Sequence, residues 1–265
     1  MSRPPASPAG DDLWARFRGA TRARIGLERA GDAMVTRDVL ALQLAHARAR
    51  DAVHGRVDFA ALAAQIEPLE SLLVHSAAPD RATYLTRPDL GRRLDAASHA
   101  RLQALKAAAA PDVVIVVADG LSAAAVERNA IAVLKAVLRR LGGLAVGPVV
   151  FAAEGRVALG DEIGACLGAR LVVELIGERP GLSSPDSLGA YLTFAPRTGR
   201  LDAERNCVSN IHADGLSPEA AADKIAWLAK AALERGLTGV GLKEDAGPAL
   251  PGAAGAALPP RPRSE

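Results

Sequence analysis

Few residues of this chain combine reactive side chains with a spacing that could do chemistry, and glycines bracket the most suggestive set. Gly177-Glu178-Arg179-Pro180-Gly181 places a carboxylate and a guanidinium between two glycines, so backbone can approach a ligand while Glu178 accepts hydrogen bonds from it. The same five residues also read as an ordinary loop closed by a salt bridge. No G-x-G-x-x-G follows the first strand pattern and no G-x-x-x-x-G-K-[ST] occurs, which removes the main support for a nicotinamide or nucleoside triphosphate site. His46, His54, His75 and His99 are dispersed and lack metal-ligand spacing. Cys166 and Cys207, the only cysteines, are too few for a disulfide framework or a four-thiolate zinc site. Ser122 and Ser209 have no evident base nearby in sequence, and no set of catalytic acids, bases or metal ligands converges.

The elements that must position these residues follow from periodicity. Residues 1–10 are Pro-rich and polar and read as a disordered tail, without the continuous apolar region of a secretory signal. Residues 11–110 read as an N-terminal helical region: a short amphipathic helix at 11–19, a long helix at 36–54 with Thr36 as its N-cap, another at 58–66, a loop or short turns over 75–91, and a helix at 96–109. After Pro111 the pattern changes. Val113-Val114-Ile115-Val116-Val117 is a continuous β-branched run that suits a strand covered on both faces. From there strands at 148–152, 171–176 and 188–194 alternate with helices at 123–141 and 161–167, and Ser217-Pro218-Glu219 opens a last helix that ends at Gly236. Residues 111–240 therefore form an α/β domain, and 241–265 a Pro/Ala/Gly-rich tail expected to be disordered.

The predicted fold class is α/β, a Rossmann-like doubly wound, mostly parallel sheet with an N-terminal helical extension. With nearly half the residues apolar but only 3% aromatic, the core must be built from Ala, Val and Leu, which favours helices packed closely on a sheet. A net charge of +2, with basic and acidic residues intermixed, offers no field for nucleic acid, and no apolar stretch reaches the roughly 20 residues of a membrane span. In open α/β sheets ligands sit outside the carboxyl ends of the strands. Here those ends are 119–122, 154–157, 177–181 and 206–212. In the last of them, Asn210-Ile211-His212-Ala213-Asp214-Gly215 approaches the D-x-H-x-x-G pattern in which histidine replaces the lower axial base of cobalamin. Asn stands where the orienting carboxylate belongs, so His212 is read as a loop or interface histidine.

Several segments, in order, carry a family resemblance: Gln43-Leu44-Ala45-His46-Ala47, Arg50-Asp51-Ala52-Val53-His54, His75-Ser76-Ala77, Arg87-Pro88-Asp89-Leu90-Gly91-Arg92, Ala118-Asp119-Gly120-Leu121-Ser122, the 177–181 loop, and Cys207-Val208-Ser209-Asn210-Ile211-His212. From Trp14 to Leu237 the chain resembles the small subunit of ethanolamine ammonia-lyase. The resemblance implies part of an adenosylcobalamin-dependent radical enzyme, a carbon–nitrogen lyase that converts ethanolamine to acetaldehyde and ammonia. It implies a catalytic large subunit as partner in a hetero-oligomer, and a cytoplasmic location within or beside a bacterial microcompartment. By the same resemblance the cobalamin-contacting positions are Val157, Glu178 and Cys207, with no protein ligand to the metal. Two other readings compete: a self-sufficient nucleotide-cofactor enzyme on the same fold, and a non-catalytic packaging module.

Overall fold

A computed structural model describes residues 14–105 and 110–243. Both tail assignments and the end of the 96–109 helix fall wholly or largely outside these residues. The N-terminal part comprises α1 (Ala15–Ala20), a small hairpin of β1 (Arg29–Ala30) and β2 (Ala33–Met34), α2 (Thr36–His54), α3 (Phe59–Ala64), β3 (Ser71–His75), α4 (Arg81–Thr86) and α5 (Ala96–Ala104). The remainder begins with β4 (Val113–Ala118) and α6 (Ala123–Ala125), which runs through a π-helical turn, Val126–Ala130, into α7 (Ile131–Arg140). It continues with β5 (Val146–Ala153), α8 (Val157–Leu167), β6 (Leu171–Gly177), β7 (Leu188–Phe194), β8 (Asn206–Ile211) and α9 (Pro218–Arg235). Two local expectations change. Thr36 is the first helical residue of α2, behind Val35 at the cap, and the 75–91 segment holds the helix α4, capped where Asp80 Oδ1 accepts from Thr83 N at 2.8 Å.

One mixed sheet carries the core, in the order β3-β5-β4-β6-β7-β8. β3, β5, β4 and β6 run parallel, whereas β7 and β8 are antiparallel to their neighbours. The expectation of a mostly parallel sheet holds for three of the five pairings, and the other two depart from it for a reason that lies in loop length. A parallel return needs a crossover of about a dozen residues or more, usually a helix. Residues 178–187 and 195–205 are too few and contain no α-helix, so each strand simply folds back beside the last. The helical reading of 11–110 also misses β3, an edge strand paired in parallel with β5.

β4 is buried along its whole length and its alternating side chains feed two separate cores. Val113, Ile115 and Val117 pack with Leu134 and Val137 of α7 and Ile225 and Ala229 of α9. Val114, Val116 and Ala118 pack with Leu102 of α5 and with Leu159 and Ile163 of α8. Each buried Val or Ile stabilises the fold by about 1.5–3 kcal/mol relative to exposure. Alanines dominate the buried face of α9, among them Ala221, Ala222, Ala229 and Ala232, which lets it lie close to its neighbours in place of aromatic filling.

Candidate functional site

The carboxyl ends of β4, β5 and β6 meet at one edge of the sheet, where two glycines let β4 and β6 interlock. Gly120 has φ +57°, and a Cβ there would stand 2.3 Å from Gly177 O. A Cβ on Gly177 would stand 2.3 Å from Ser122 O and 2.5 Å from Asp119 O. The approach is closed by Leu121 N donating to Gly177 O at 2.9 Å. Only glycine leaves room for this contact.

Asp119 fastens the same end to β5. Its two carboxylate oxygens accept from Glu154 N at 2.9 Å and Gly155 N at 3.0 Å, which holds Glu154 at φ +52°. Arg81, buried on α4, donates to Glu154 Oε2 at 2.9 Å and to Val53 O at 2.7 Å, and its Nη1 lies 3.6 Å from Asp119 Oδ2. Burial and the neighbouring Glu154 charge push Asp119 up to about 6, with Arg81 and the two backbone donors opposing. Tyr84, one turn along α4 from Arg81, donates its hydroxyl to Gly155 O at 2.9 Å. The Arg81 and Arg156 guanidinium carbons each sit 4.7 Å from the Tyr84 ring centroid.

Above these locks opens a cavity of about 430 Å³, bordered by Tyr84, Gly120, Leu121, Arg156, Val157, Ile176, Gly177, Glu178, Arg179 and Tyr191. A second hollow of about 320 Å³ shares Arg156, Val157 and Tyr191 with it and continues past Arg92, Ala158 and Leu201. The result is an open cleft with apolar walls and a guanidinium-rich margin. Val157 and Glu178 are thus brought together, Val157 as the first residue of α8 rather than in a turn. Glu178 forms no ion pair with Arg179 among the described residues, so the salt-bridged reading of the loop does not apply; its Oε2 instead accepts from Ser187 Oγ at 2.5 Å. Cys207 does not border the cavity. It is exposed on β8, in register with Tyr191 of β7, and the Tyr191 hydroxyl and Cys207 thiol interact there. Crowding by protein around its sulfur, together with the Glu178 charge, pushes the thiol upward although the residue as a whole is exposed.

The loop that carries Glu178 is stapled to the helix after β4. Ser122 Oγ caps that helix by accepting from Ala125 N at 3.1 Å and donates to Pro185 O at 2.7 Å. Asn129, within the π-helical turn, donates to Asp186 O at 2.9 Å, and Arg128 pairs with the Asp186 carboxylate at 2.8 Å. His212 lies apart, buried in its own loop. Its Nε2 is 2.8 Å from Asn210 Oδ1 and its Nδ1 accepts from Asp214 N at 3.3 Å, so both ring nitrogens are engaged. Sequence reasoning missed Tyr84, Arg156, Ser187 and Tyr191. Arg156 adjoins Val157 and could have been included, whereas Tyr191 becomes visible only once β7 and β8 are known to pair.

A groove of about 900 Å³ lies on the other side of the 182–186 segment between α2 and α6; it is rich in arginine, including Arg24, Arg48 and Arg56. It holds none of Val157, Glu178 and Cys207. Among the described residues no group of three or more His, Cys, Asp or Glu could hold a metal ion, and no helix is long and apolar enough to cross a membrane.

The fold and the site define an α/β protein with an open cleft at the carboxyl ends of its strands. Comparison with known proteins narrows this. Residues 11–243 match the family described as ethanolamine ammonia-lyase light chain. The chain is 56% identical over 234 residues to the ethanolamine ammonia-lyase small subunit of Rhodopseudomonas palustris (strain BisA53), covering 86% of this chain and 89% of that one. It is 53% identical over 250 residues to the protein of the same name from Bradyrhizobium diazoefficiens, covering 92% and 95%, and 52% identical over 252 residues to that of Xanthomonas campestris pv. campestris, covering 93% and 92%. The chain belongs to the ethanolamine ammonia-lyase small-subunit family.

Proposed function

We propose that the cleft bordered by Val157 and Glu178, with Cys207 beyond Tyr191, forms one side of an adenosylcobalamin site completed by the large subunit of an ethanolamine ammonia-lyase. The observation that carries this is the convergence of Val157 and Glu178, distant in sequence, on one open cavity at the sheet's carboxyl edge. When bound, adenosylcobalamin supplies cobalt–carbon radical chemistry for the conversion of ethanolamine to acetaldehyde and ammonia. The residues present fit such a group. Leu121, Val157, Ile176 and the two tyrosine rings offer apolar surface that keeps water from the edge of a macrocycle. Glu178 can accept from a side-chain amide N–H, while Arg156 and Arg179 can donate to amide carbonyls or to a phosphodiester. Both ring nitrogens of His212 are already engaged, which favours a site with no protein ligand to cobalt.

In the same reading the parallel strands β3 to β6, with helices on both faces, are a Rossmann-like doubly wound unit whose crevice lies between the ends of β4, β5 and β6. Residues 15–20 carry exposed Phe17 beside exposed Trp14, an apolar face suited to association within a cytoplasmic microcompartment.

The test is reconstitution. Purified with the large subunit, the complex should take up adenosylcobalamin, followed by its absorbance, and release acetaldehyde from ethanolamine. The chain alone should give no turnover, because its cofactor contacts come from one side. Turnover by the chain alone, or a complex that binds no corrinoid, would overturn the proposal.

A further inference from the structure

We propose that Ser187 is a positioning residue that aims Glu178 at the cofactor, an inference that rests on the cobalamin reading of the cleft. Ser187 is buried at the foot of the loop, immediately before β7. Its hydroxyl has one proton to give, and gives it to Glu178 Oε2 at 2.5 Å, while its carbonyl accepts from Glu178 N at 3.0 Å. The two residues are therefore joined through both side chain and main chain across the mouth of the 178–187 loop.

Gly189 lies two residues on, on the same face of β7 as Ser187. A Cβ at Gly189 would stand 2.9 Å from Glu178 Oε1 and 3.2 Å from its Cγ, so the carboxylate lies over the space that a side chain would fill. With Oε2 committed to Ser187, Oε1 accepts no hydrogen bond from the described residues, and Glu178 borders the cavity. Holding one oxygen fixes the rotamer of a side chain that would otherwise have to be ordered by the ligand itself. The staples from Ser122, Asn129 and Arg128 end on Pro185 and Asp186, directly before Ser187, so the serine is itself held in place.

The experiment titrates the assembled two-subunit enzyme with adenosylcobalamin, following absorbance, for wild type, Ser187→Ala, Glu178→Gln and the double variant. Loss of one charge-assisted hydrogen bond that acts only by aiming the acceptor should raise Kd about 5- to 10-fold. Turnover at saturating cofactor should stay within about twofold of wild type. In the Glu178→Gln background Ser187→Ala should add no further weakening. Gly189→Ala, which displaces the carboxylate while keeping the serine, should weaken binding as well and serves if Ser187→Ala assembles poorly. Wild-type affinity in Ser187→Ala beside weakened binding in Glu178→Gln would overturn the positioning role and leave the cobalamin site standing. Undiminished weakening by Ser187→Ala in the Glu178→Gln background would overturn it too, as a packing effect. Wild-type affinity in Glu178→Gln would remove the underlying reading together with the inference.

Discussion

Arg81→Met should unfasten the floor of the cleft, with a cost that depends on pH in a defined direction. Arg81, Asp119 and Glu154 are each less than a tenth exposed, so the guanidinium is the buried countercharge for two carboxylates. Removing one partner of a buried ionic cluster costs about 3–5 kcal/mol, since the charges left behind keep their desolvation penalty. Asp119 sets the pH dependence. Its folded pKa, about 6, lies above the unfolded value of 3.8, so the native state binds its proton more tightly. The Asp119 contribution to stability is therefore greatest below pH 3.8 and is lost as pH rises through 6, at up to about 1.4 kcal/mol per pH unit. Without Arg81 the carboxylate loses an opposing positive charge and the loss extends to higher pH. Urea unfolding should accordingly show Arg81→Met less stable than wild type by about 3–5 kcal/mol at pH 8. At pH 5, where protonated Asp119 no longer needs the countercharge, the difference should shrink by about 1–3 kcal/mol. A difference below about 1 kcal/mol at pH 8, or one of equal size at both pH values, would refute the reasoning.

Gly120→Ala should destabilise the chain by about 2–4 kcal/mol in the same assay, because alanine resists positive φ and its Cβ would overlap Gly177 O; unchanged stability would show that the β4 and β6 ends are not in fact interlocked. Glu174, fully buried in β6, is pushed well above the ordinary carboxylate range by burial and by the Asp161 charge, against Arg205. Its folded pKa exceeds the unfolded one, so it costs stability as pH rises, and Glu174→Gln should gain in Tm over wild type between pH 5 and pH 9; a difference that stays flat or falls would sink this account.

Much of this architecture was legible in the sequence because the signals were local. The β-branched run of β4 and the Ser217-Pro218 start of α9 each depend on neighbours within a few positions, and both elements lie where the pattern places them. The antiparallel turn of β7 was legible in principle, since ten residues cannot carry a crossover, but strand and helix periodicity alone says nothing about direction. β3 was hidden for a different reason. It is a short edge strand, with Leu73 exposed and Val74 buried, and Ser71-Leu72-Leu73-Val74-His75 has too few residues for alternation to stand out from the helices around it. Tyr84 and Ser187 could not be found because their roles consist of contacts: Tyr84 with Gly155 and two arginines, Ser187 with Glu178.

Strongly perturbed acids usually mark catalytic sites, yet in this chain they point inward. Asp119 is consumed by two backbone donors and Arg81. Asp161 is held by Arg205 through contacts of 2.5 and 2.7 Å, and Glu174 lies behind both with one oxygen unpartnered. Each cluster ties strand ends or helices together beneath the cleft. Asp119, Arg81 and Glu154 join β4, β5, α4 and the end of α2, while Asp161 and Arg205 join α8 to the start of β8. Asp119 and Asp161, already engaged by protein partners, and Glu174, fully buried, are not presented to a substrate as acid or base. What remains open at the surface is the Glu178 carboxylate, the guanidinium margin and apolar walls, which can bind and orient a large polar-edged ligand. This division, with ionisable groups locked below and binding groups presented above, is the one that the proposed function requires, in which the chain holds one side of a cofactor and leaves the reacting atoms to its partner.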